Sequence, residues 1–303
     1  MSAIPAGVER AGAAETPFRR FVSDFCESRV AVAALAMLAL IIAVALLAPW
    51  IAPQDPYDLR QLDLLDSKMP PGSVGGGGML HLLGTDAQGR DMLSAIMYGL
   101  RTSLAVGVGA SFGAMFIGLA AGLIAAYFGG LIETVIMRTV DMQLSFPSIL
   151  VALILVAGLG QGVDKIIIAL MAVQWAYYAR TVRGTALVER RKEYIEAARC
   201  LALGHRRVVF RHLLPNCLPP LIVVNTVLVA SAISLEATLS FLGLGLPITK
   251  PSLGLLIANG FQFLLSGKYW ISFFPGVALL IIIMCINLVG DQLRDVLNPR
   301  LQR

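Results

Sequence analysis

Residues 180–216 read RTVRGTALVERRKEYIEAARCLALGHRRVVFRHLLPN, and the placement of the whole chain turns on them. They hold nine basic residues together with Glu189, Glu193 and Glu196. Each such charge costs at least ~2.5 kcal/mol at the centre of a bilayer, so the stretch cannot lie in hydrocarbon. The chain turns apolar on either side of it, since 166–179 and 213–235 carry no charge. The segment therefore reads as a wet connection between two membrane crossings.

Working outward, the 303-residue chain is 57% hydrophobic and 14% charged, with a mean hydropathy of +0.77. Soluble domains are about a quarter charged, so this balance excludes a disordered chain and counts against a soluble enzyme. Charge-free runs cover 30–51, 102–132, 142–163, 213–235 and 269–290. Each reaches the roughly 20 residues that a helix needs to cross the bilayer. A sixth crossing is expected at 166–179, where Lys165 and Arg180 can snorkel outward and lengthen a short span. Residues 251–267 are apolar but interrupted by Pro251, Gly254, Asn259, Gly260 and Gln262, which suits an interfacial or re-entrant segment. The expectation is an all-α membrane protein with six transmembrane helices.

The positive-inside rule sets the orientation. With the amino terminus inside, 17 of the 24 basic residues fall on the cytoplasmic side, and both termini are cytoplasmic. This sidedness accounts for the net charge of +5 without a nucleic-acid partner. The organisation that follows is a cytoplasmic segment 1–29, a first transmembrane helix 30–52, a periplasmic loop 53–99 and a five-helix core 100–303. That core holds the cytoplasmic loop 180–216 and a cytoplasmic tail 291–303. Residues 1–29 lack the apolar stretch of a signal peptide, so the first span is expected to remain as an anchor. Cys26, Cys200, Cys217 and Cys285 show no CxxC spacing, and His81, His205 and His212 are scattered, so neither a disulfide nor a metal site is expected.

Inside 180–216, Tyr194, Ala197, Ala198 and Leu201 follow helical spacing, which predicts a short helix from about 189 to 203 with a small apolar stripe. Gly204 stands where a left-handed cap would end it. A second helical set, 208–214, is expected to stop at Pro215. Small residues suit docking into a groove on another protein, while the basic flanks equally suit membrane lipid headgroups. On spacing alone the two stand about even. On the outer side, the run 75–78 of four glycines reads as flexible, and HLLGTDAQGRD at 81–91 reads as a surface turn with Thr85 or Asp86 capping a short helix. Asp141 and Glu236 lie near span ends and could line a passage. The structural alternative is a contact between helices, with Asp141 paired to Arg138, or Arg101 and Glu236 each sitting at the wet boundary. Asn225 and Asn287 read as contacts between helices, and the glycines of 102–132, with two G-x-x-x-G spacings, as a close-packing face.

Certain residues also carry a resemblance. Glu196, Ala197 and Ala198, followed nineteen residues after the glutamate by Pro215 within HLLPN, resemble the EAA loop of bacterial ABC importer permeases. HLLGTDAQGRD, SFPS at 145–148, SLEATLSFLGLG at 234–245 and NLVGDQLRDVLNPRL at 287–301 resemble the C-type permease subunit of dipeptide and oligopeptide transporters. The likeness covers residues 17–303. One departure is Ala202, where the family usually has glycine, which predicts a turn shifted to Gly204.

The resemblance implies a type I ABC importer permease fold in which the EAA segment is a cytoplasmic coupling helix. Glu196, Ala197, Ala198, Arg199, Ala202, Gly204, Pro215 and Asn216 would dock on an ATPase and transmit its closure. Gly84, Thr85, Asp86, Gly89, Arg90 and Asp91 would face a periplasmic substrate-binding protein, or support that face. The implied partners are a second homologous permease subunit, two cytoplasmic ATPase subunits and that binding protein, in the bacterial inner membrane. ATP and Mg would belong to the ATPases. In agreement, the single Gly-Lys pair, Gly267 and Lys268, does not fit a phosphate-binding P-loop. Peptide, nickel, glutathione and antimicrobial-peptide importers all share such subunits. An ion-coupled secondary transporter is the alternative of another class.

Overall fold

The computed structural model describes residues 17–58, 60 and 62–297, apart from the side chains of Pro17, Phe18 and Arg199. The chain is almost wholly helical. It opens with α1 (Pro17–Cys26) and α2 (Arg29–Ile51). Ser28 caps α2 by accepting the Ala31 N–H at 3.3 Å. Only 22% of the most apolar window of α2 is buried against the rest of the chain, so its apolar surface is left for lipid.

Next, α3 spans Met92–Phe128, 37 residues, or about 55 Å at the α-helical rise. That exceeds the ~30 Å hydrocarbon thickness, so α3 must project beyond the membrane. It starts ten residues before the expected second span at 102, and the loop that precedes it accordingly ends at Asp91 rather than at 99. Charge sets the edge of the apolar run at Arg101, which is exposed, whereas the helix begins earlier because Met92–Leu100 are covered by the rest of the chain. At the other end Gly129 (φ 69°) and Gly130 (φ 57°) turn the chain into α4 (Gly130–Leu144).

The apolar run 142–163 is not one straight crossing. α4 meets α5 (Ser148–Leu159) at a 92° bend. Pro147 lacks the N–H that would continue α4, and it also biases Phe146 away from helical backbone. From there α6 runs Val163–Glu189, followed by α7 (Glu193–Cys200). α8 (His205–Arg207), a π turn at Val208–Leu213 and α9 (Leu214–Phe241) then form one helix of 37 residues. The expected stop at Pro215 is absent. The wide turn closes with Leu214 N–H on the Val209 carbonyl, and Pro215 sits where α9 restarts, within its first turn. α10 (Leu253–Phe261) and α11 (Trp270–Leu297) complete the chain.

Among the described residues, four helices are long and apolar enough to cross a membrane, and there are five such crossings if the bent pair counts as one. The sixth expected crossing falls in α6. This helix is 27 residues long, but much of it is enclosed by its neighbours, so it need not be apolar all round. The glycines of α3 explain that enclosure. A Cβ at Gly118 would lie 2.4 Å from Tyr178 Cβ and 2.5 Å from the Trp175 carbonyl, and one at Gly122 would lie 2.7 Å from the Ala179 carbonyl. The close-packing face therefore binds α3 to α6 within the chain.

Several polar groups among the helices are paired, although Asn259 Nδ2 on the later helix Leu253–Phe261 is buried without a partner among the described residues. Gln174 donates to the Leu228 carbonyl at 3.0 Å and accepts from Ser111 at 3.2 Å. Tyr178 donates to Asn225 at 2.8 Å, so Asn225 does join two helices. Asn287 instead lies exposed on α11. Residues 251–267 form the short helix α10, capped by Ser252, with Gly254 and Gly260 pressed against α9 and α11.

Candidate functional site

Two constructions stand at the ends of the bundle. The first is the 180–216 connection. Its helix is shorter than expected, Glu193–Cys200 against 189–203, because Lys192 and the preceding turn lie outside it. Ile195 and Ala198 face inward and pack on Val208, with Tyr127 and Leu203 beside them. Tyr194, Glu196, Ala197 and Leu201 are exposed. The stripe expected from spacing is thus divided: Ala198 belongs to the anchoring face with Ile195, whereas Tyr194, Ala197 and Leu201 share the free side. A spacing of three to four residues fits both faces of so short a helix, and only the position of Val208 distinguishes them.

The turn after α7 lies at Ala202, not at Gly204. Ala202 adopts φ 53°, and Leu203 N–H reaches back to the Ala198 carbonyl at 3.2 Å, the six-to-one bond of a Schellman cap. Gly204 has an ordinary φ of −59°. The chain thus forms a glycine turn on alanine, at a cost of about 1 kcal/mol. Ala202→Gly is accordingly expected to stabilise the loop by about that amount. Slower amide exchange across 193–204 would report the gain, and unchanged or faster exchange would contradict it.

Side chains fasten this loop to the bundle. Glu189 is buried at the end of α6 and accepts from Lys192 Nζ at 2.6 Å and the Tyr194 hydroxyl at 2.7 Å. Asn216 donates to that same hydroxyl at 3.1 Å and to the His212 carbonyl at 2.7 Å. Arg190 donates to the Ala126 carbonyl at 2.8 Å, which ties the loop to the end of α3. Burial alone would raise the Glu189 carboxyl, but the Lys192 and Tyr194 donors outweigh it and hold the group below the ordinary 4.5. Burial and the bond to Glu189 push the Tyr194 hydroxyl up to about 12. A depressed carboxyl stabilises fully above its ordinary pKa and loses that contribution as pH falls through the folded value. The protection of the α7 amides, after correction for the intrinsic pH dependence of exchange, is therefore expected to be flat between about pH 6 and 8 and to fall below about pH 4.

The second construction is the loop before α3. The sequence suggests a surface turn, but the loop is interior. His81, Thr85, Asp86, Arg90 and Asp91 are all buried. The glycine run at 75–78 closes an antiparallel pair, β1 (Ser73–Val74) with β2 (Leu80–His81), and Gly76 N–H is held by Asp66 at 2.9 Å. Neither Thr85 nor Asp86 caps a helix; Asp91 caps α3, accepting Ser94 N–H at 2.8 Å and its hydroxyl at 2.7 Å. The other Asp91 carboxylate oxygen lies 3.1 Å from His81 Nδ1.

Asp86 and Arg90 form an enclosed ion pair, Nε to Oδ2 at 2.7 Å. Asp86 Oδ1 also accepts the backbone N–H groups of Gln88 at 2.8 Å and Arg90 at 2.9 Å. The guanidinium continues to the Ile248 carbonyl in the α9–α10 link at 3.2 Å. Trp270 at the start of α11 donates to the Thr85 carbonyl at 3.2 Å. Gly84 (φ 79°) and Gly89 (φ 77°) are needed because a Cβ would lie 2.5 Å from the Met69 carbonyl and 2.1 Å from the Asp63 carbonyl. The motif is thus a buried clasp joining the outer loop, α3, the α9–α10 link and α11. An Asp-Arg pair four residues apart, with glycines at 84 and 89, was the pattern in the sequence that could have indicated it.

The remaining candidates lie elsewhere. Asp141 is exposed and pairs with Arg180 of α6, not with Arg138. Glu236 is fully enclosed, accepting from Ser103 at 2.9 Å and Ser240 at 2.8 Å. Its carboxyl joins α3 to α9.

Comparison with known proteins follows the same lines. Residues 118–303 match the family of binding-protein-dependent transport system inner membrane components. Residues 16–71 match the N-terminal transmembrane domain of oligopeptide transport permease C. The dipeptide transport system permease protein DppC of Escherichia coli K12 is 41% identical, with 95% of each chain covered. The di/tripeptide transport system permease protein DppC of Pseudomonas aeruginosa is 37% identical over 95% of this chain and 93% of its own. Among solved structures, an inward-facing MetNI methionine ABC transporter chain is similar at a TM-score of 0.55, with 23% identity. That likeness covers 68% of this chain and 97% of the other, and it carries the fold alone. A multi-pass helical core with long apolar spans and a charged, bundle-anchored loop is what such a permease requires, and this chain belongs to the binding-protein-dependent transport system inner membrane components, in the C-type branch of its peptide permeases.

Proposed function

We propose that the chain is one of two non-identical permease subunits of an ATP-driven importer of di- and oligopeptides. The names of its relatives support the peptide class. Residues 180–216, the amino-terminal segment and the tail 291–303 would be cytoplasmic, as the distribution of basic residues requires. Residues 298–303 of that tail lie outside the described residues. Residues 53–91 would be periplasmic.

The observation that carries the reading is α7. It is anchored from beneath by Ile195 and Ala198, and at its start by the Tyr194 hydroxyl, but offers Glu196, Ala197 and Leu201 outward. A short rod fixed to the bundle on one side and bare on the other can receive a push from an ATPase and pass it through Val208 into α9. Ala202, Gly204, Pro215 and Asn216 set the angle of that rod. The Arg199 side chain, in the same set, lies outside the described residues. The energy source would be ATP with Mg in two partner ATPase subunits. At the other end, the clasp of Gly84, Thr85, Asp86, Gly89, Arg90 and Asp91 would hold the surface that receives the substrate-binding protein, without itself facing outward.

The test is reconstitution of the assembled transporter with Glu196→Lys. Insertion and ATP hydrolysis should persist while ATP-driven peptide uptake falls about tenfold or more, as loss of a docking hot spot would give. Uptake at the unaltered rate would overturn the coupling role of α7.

A further inference from the structure

Between the second half of α3 and the helix beginning at His205 lies an open cleft of about 410 Å³ with almost wholly apolar walls. Phe116, Phe128 and Phe210 line it and are 65%, 61% and 65% exposed. Three phenylalanines left open on one side of a helix pair form a patch that needs a cover. One end of the cleft is closed by His205 and Arg206. Arg206 is exposed and makes no ion pair among the described residues. His205 is held in place by the Tyr127 hydroxyl.

The dimensions narrow the occupant. From Phe116 to Phe128 the strip runs about 18 Å along α3, close to the ~15 Å of hydrocarbon in one leaflet. Its apolar length lies on a helix that crosses the membrane, and its cationic end lies where that helix gives way to the charged loop. A free anion would leave the phenylalanines uncovered, and an uncharged apolar ligand would leave Arg206 without a counter-charge. We propose that the cleft is a binding site for one anionic phospholipid, with an acyl chain along α3 and the phosphate at Arg206. The site adjoins Val208, on which Ile195 and Ala198 of α7 rest, so an occupied cleft would also steady α7.

The experiment counts lipids retained on the purified, assembled transporter by native mass spectrometry, with phosphatidylglycerol and phosphatidylcholine as probes. Phosphatidylglycerol should be retained in preference. Arg206→Gln should weaken that retention about five-fold, and Arg206→Lys should restore most of it. Ala120→Trp, which fills the cleft from the exposed side of α3, should remove the retained lipid while leaving the assembly intact. Equal retention in Ala120→Trp and the unaltered protein would overturn the site. So would photo-crosslinks from position 210 that land on a partner subunit instead of lipid. The lipid count does not depend on which ligand is transported or on which face of the bundle is cytoplasmic.

Discussion

Arg90→Met is expected to lower the stability of the protein by about 3–5 kcal/mol, the cost of breaking one partner out of an enclosed ion pair. Arg90 and Asp86 have side chains only 2% and 1% exposed. Removing the guanidinium leaves a buried carboxylate with two backbone N–H donors and no counter-charge, and it frees the Ile248 carbonyl and the Gln88 side chain. The loss should be seen as a lower melting midpoint in detergent and as new trypsin cleavage before α3. The double variant Asp86→Ala with Arg90→Met should recover part of it, because the stranded charge then disappears. A single variant that melts like the unaltered protein would show that the clasp does not hold the outer ends of α3 and α11 together.

Gly118→Val should be comparably severe, about 3 kcal/mol or more, through overpacking. The added atoms would enter space already occupied by Tyr178 Cβ, the Trp175 carbonyl and the Ala179 backbone nitrogen, the last at 2.8 Å. Two of these three are backbone, which no rotamer change can move. The helices must separate, and the paired Gln174 and Tyr178 sit on the same face of α6. Gly109→Ala provides the control. Its Cβ would meet only the Ile167 side chain at 3.4 Å, an ordinary contact, and it should be tolerated. Equal melting of the Gly118 and Gly109 variants would refute the α3–α6 contact as a determinant of the fold.

Some disagreements between sequence and structure share one cause. The apolar runs were legible because hydrocarbon excludes charge, yet helix length was not, since α3 begins ten residues before its apolar run, where the rest of the chain covers Met92–Leu100. The bend at Pro147 was present in SFPS but hidden by a continuous apolar run. Ala202 takes the left-handed turn because Leu203 N–H finds the Ala198 carbonyl, a bond that outweighs the preference for glycine at that position. The interior placement of 81–91 was not legible at all. Its polar composition describes a surface turn until Ile248 and Trp270, more than 150 residues away in sequence, arrive to cover it.

The sequence by itself determined the class of molecule, its apolar crossings, the wet charged connection at 180–216 and the family to which that connection belongs. These depend on the exclusion of charge from lipid and on local spacing, both of which act residue by residue. Only the tertiary structure decided which face of α7 is anchored and which is free. It also decided that Asp86 and Arg90 form an enclosed pair and that Glu236 joins two helices through Ser103 and Ser240. Such outcomes follow from which distant groups meet, and burial turns the same polar side chains from solvated into structural ones.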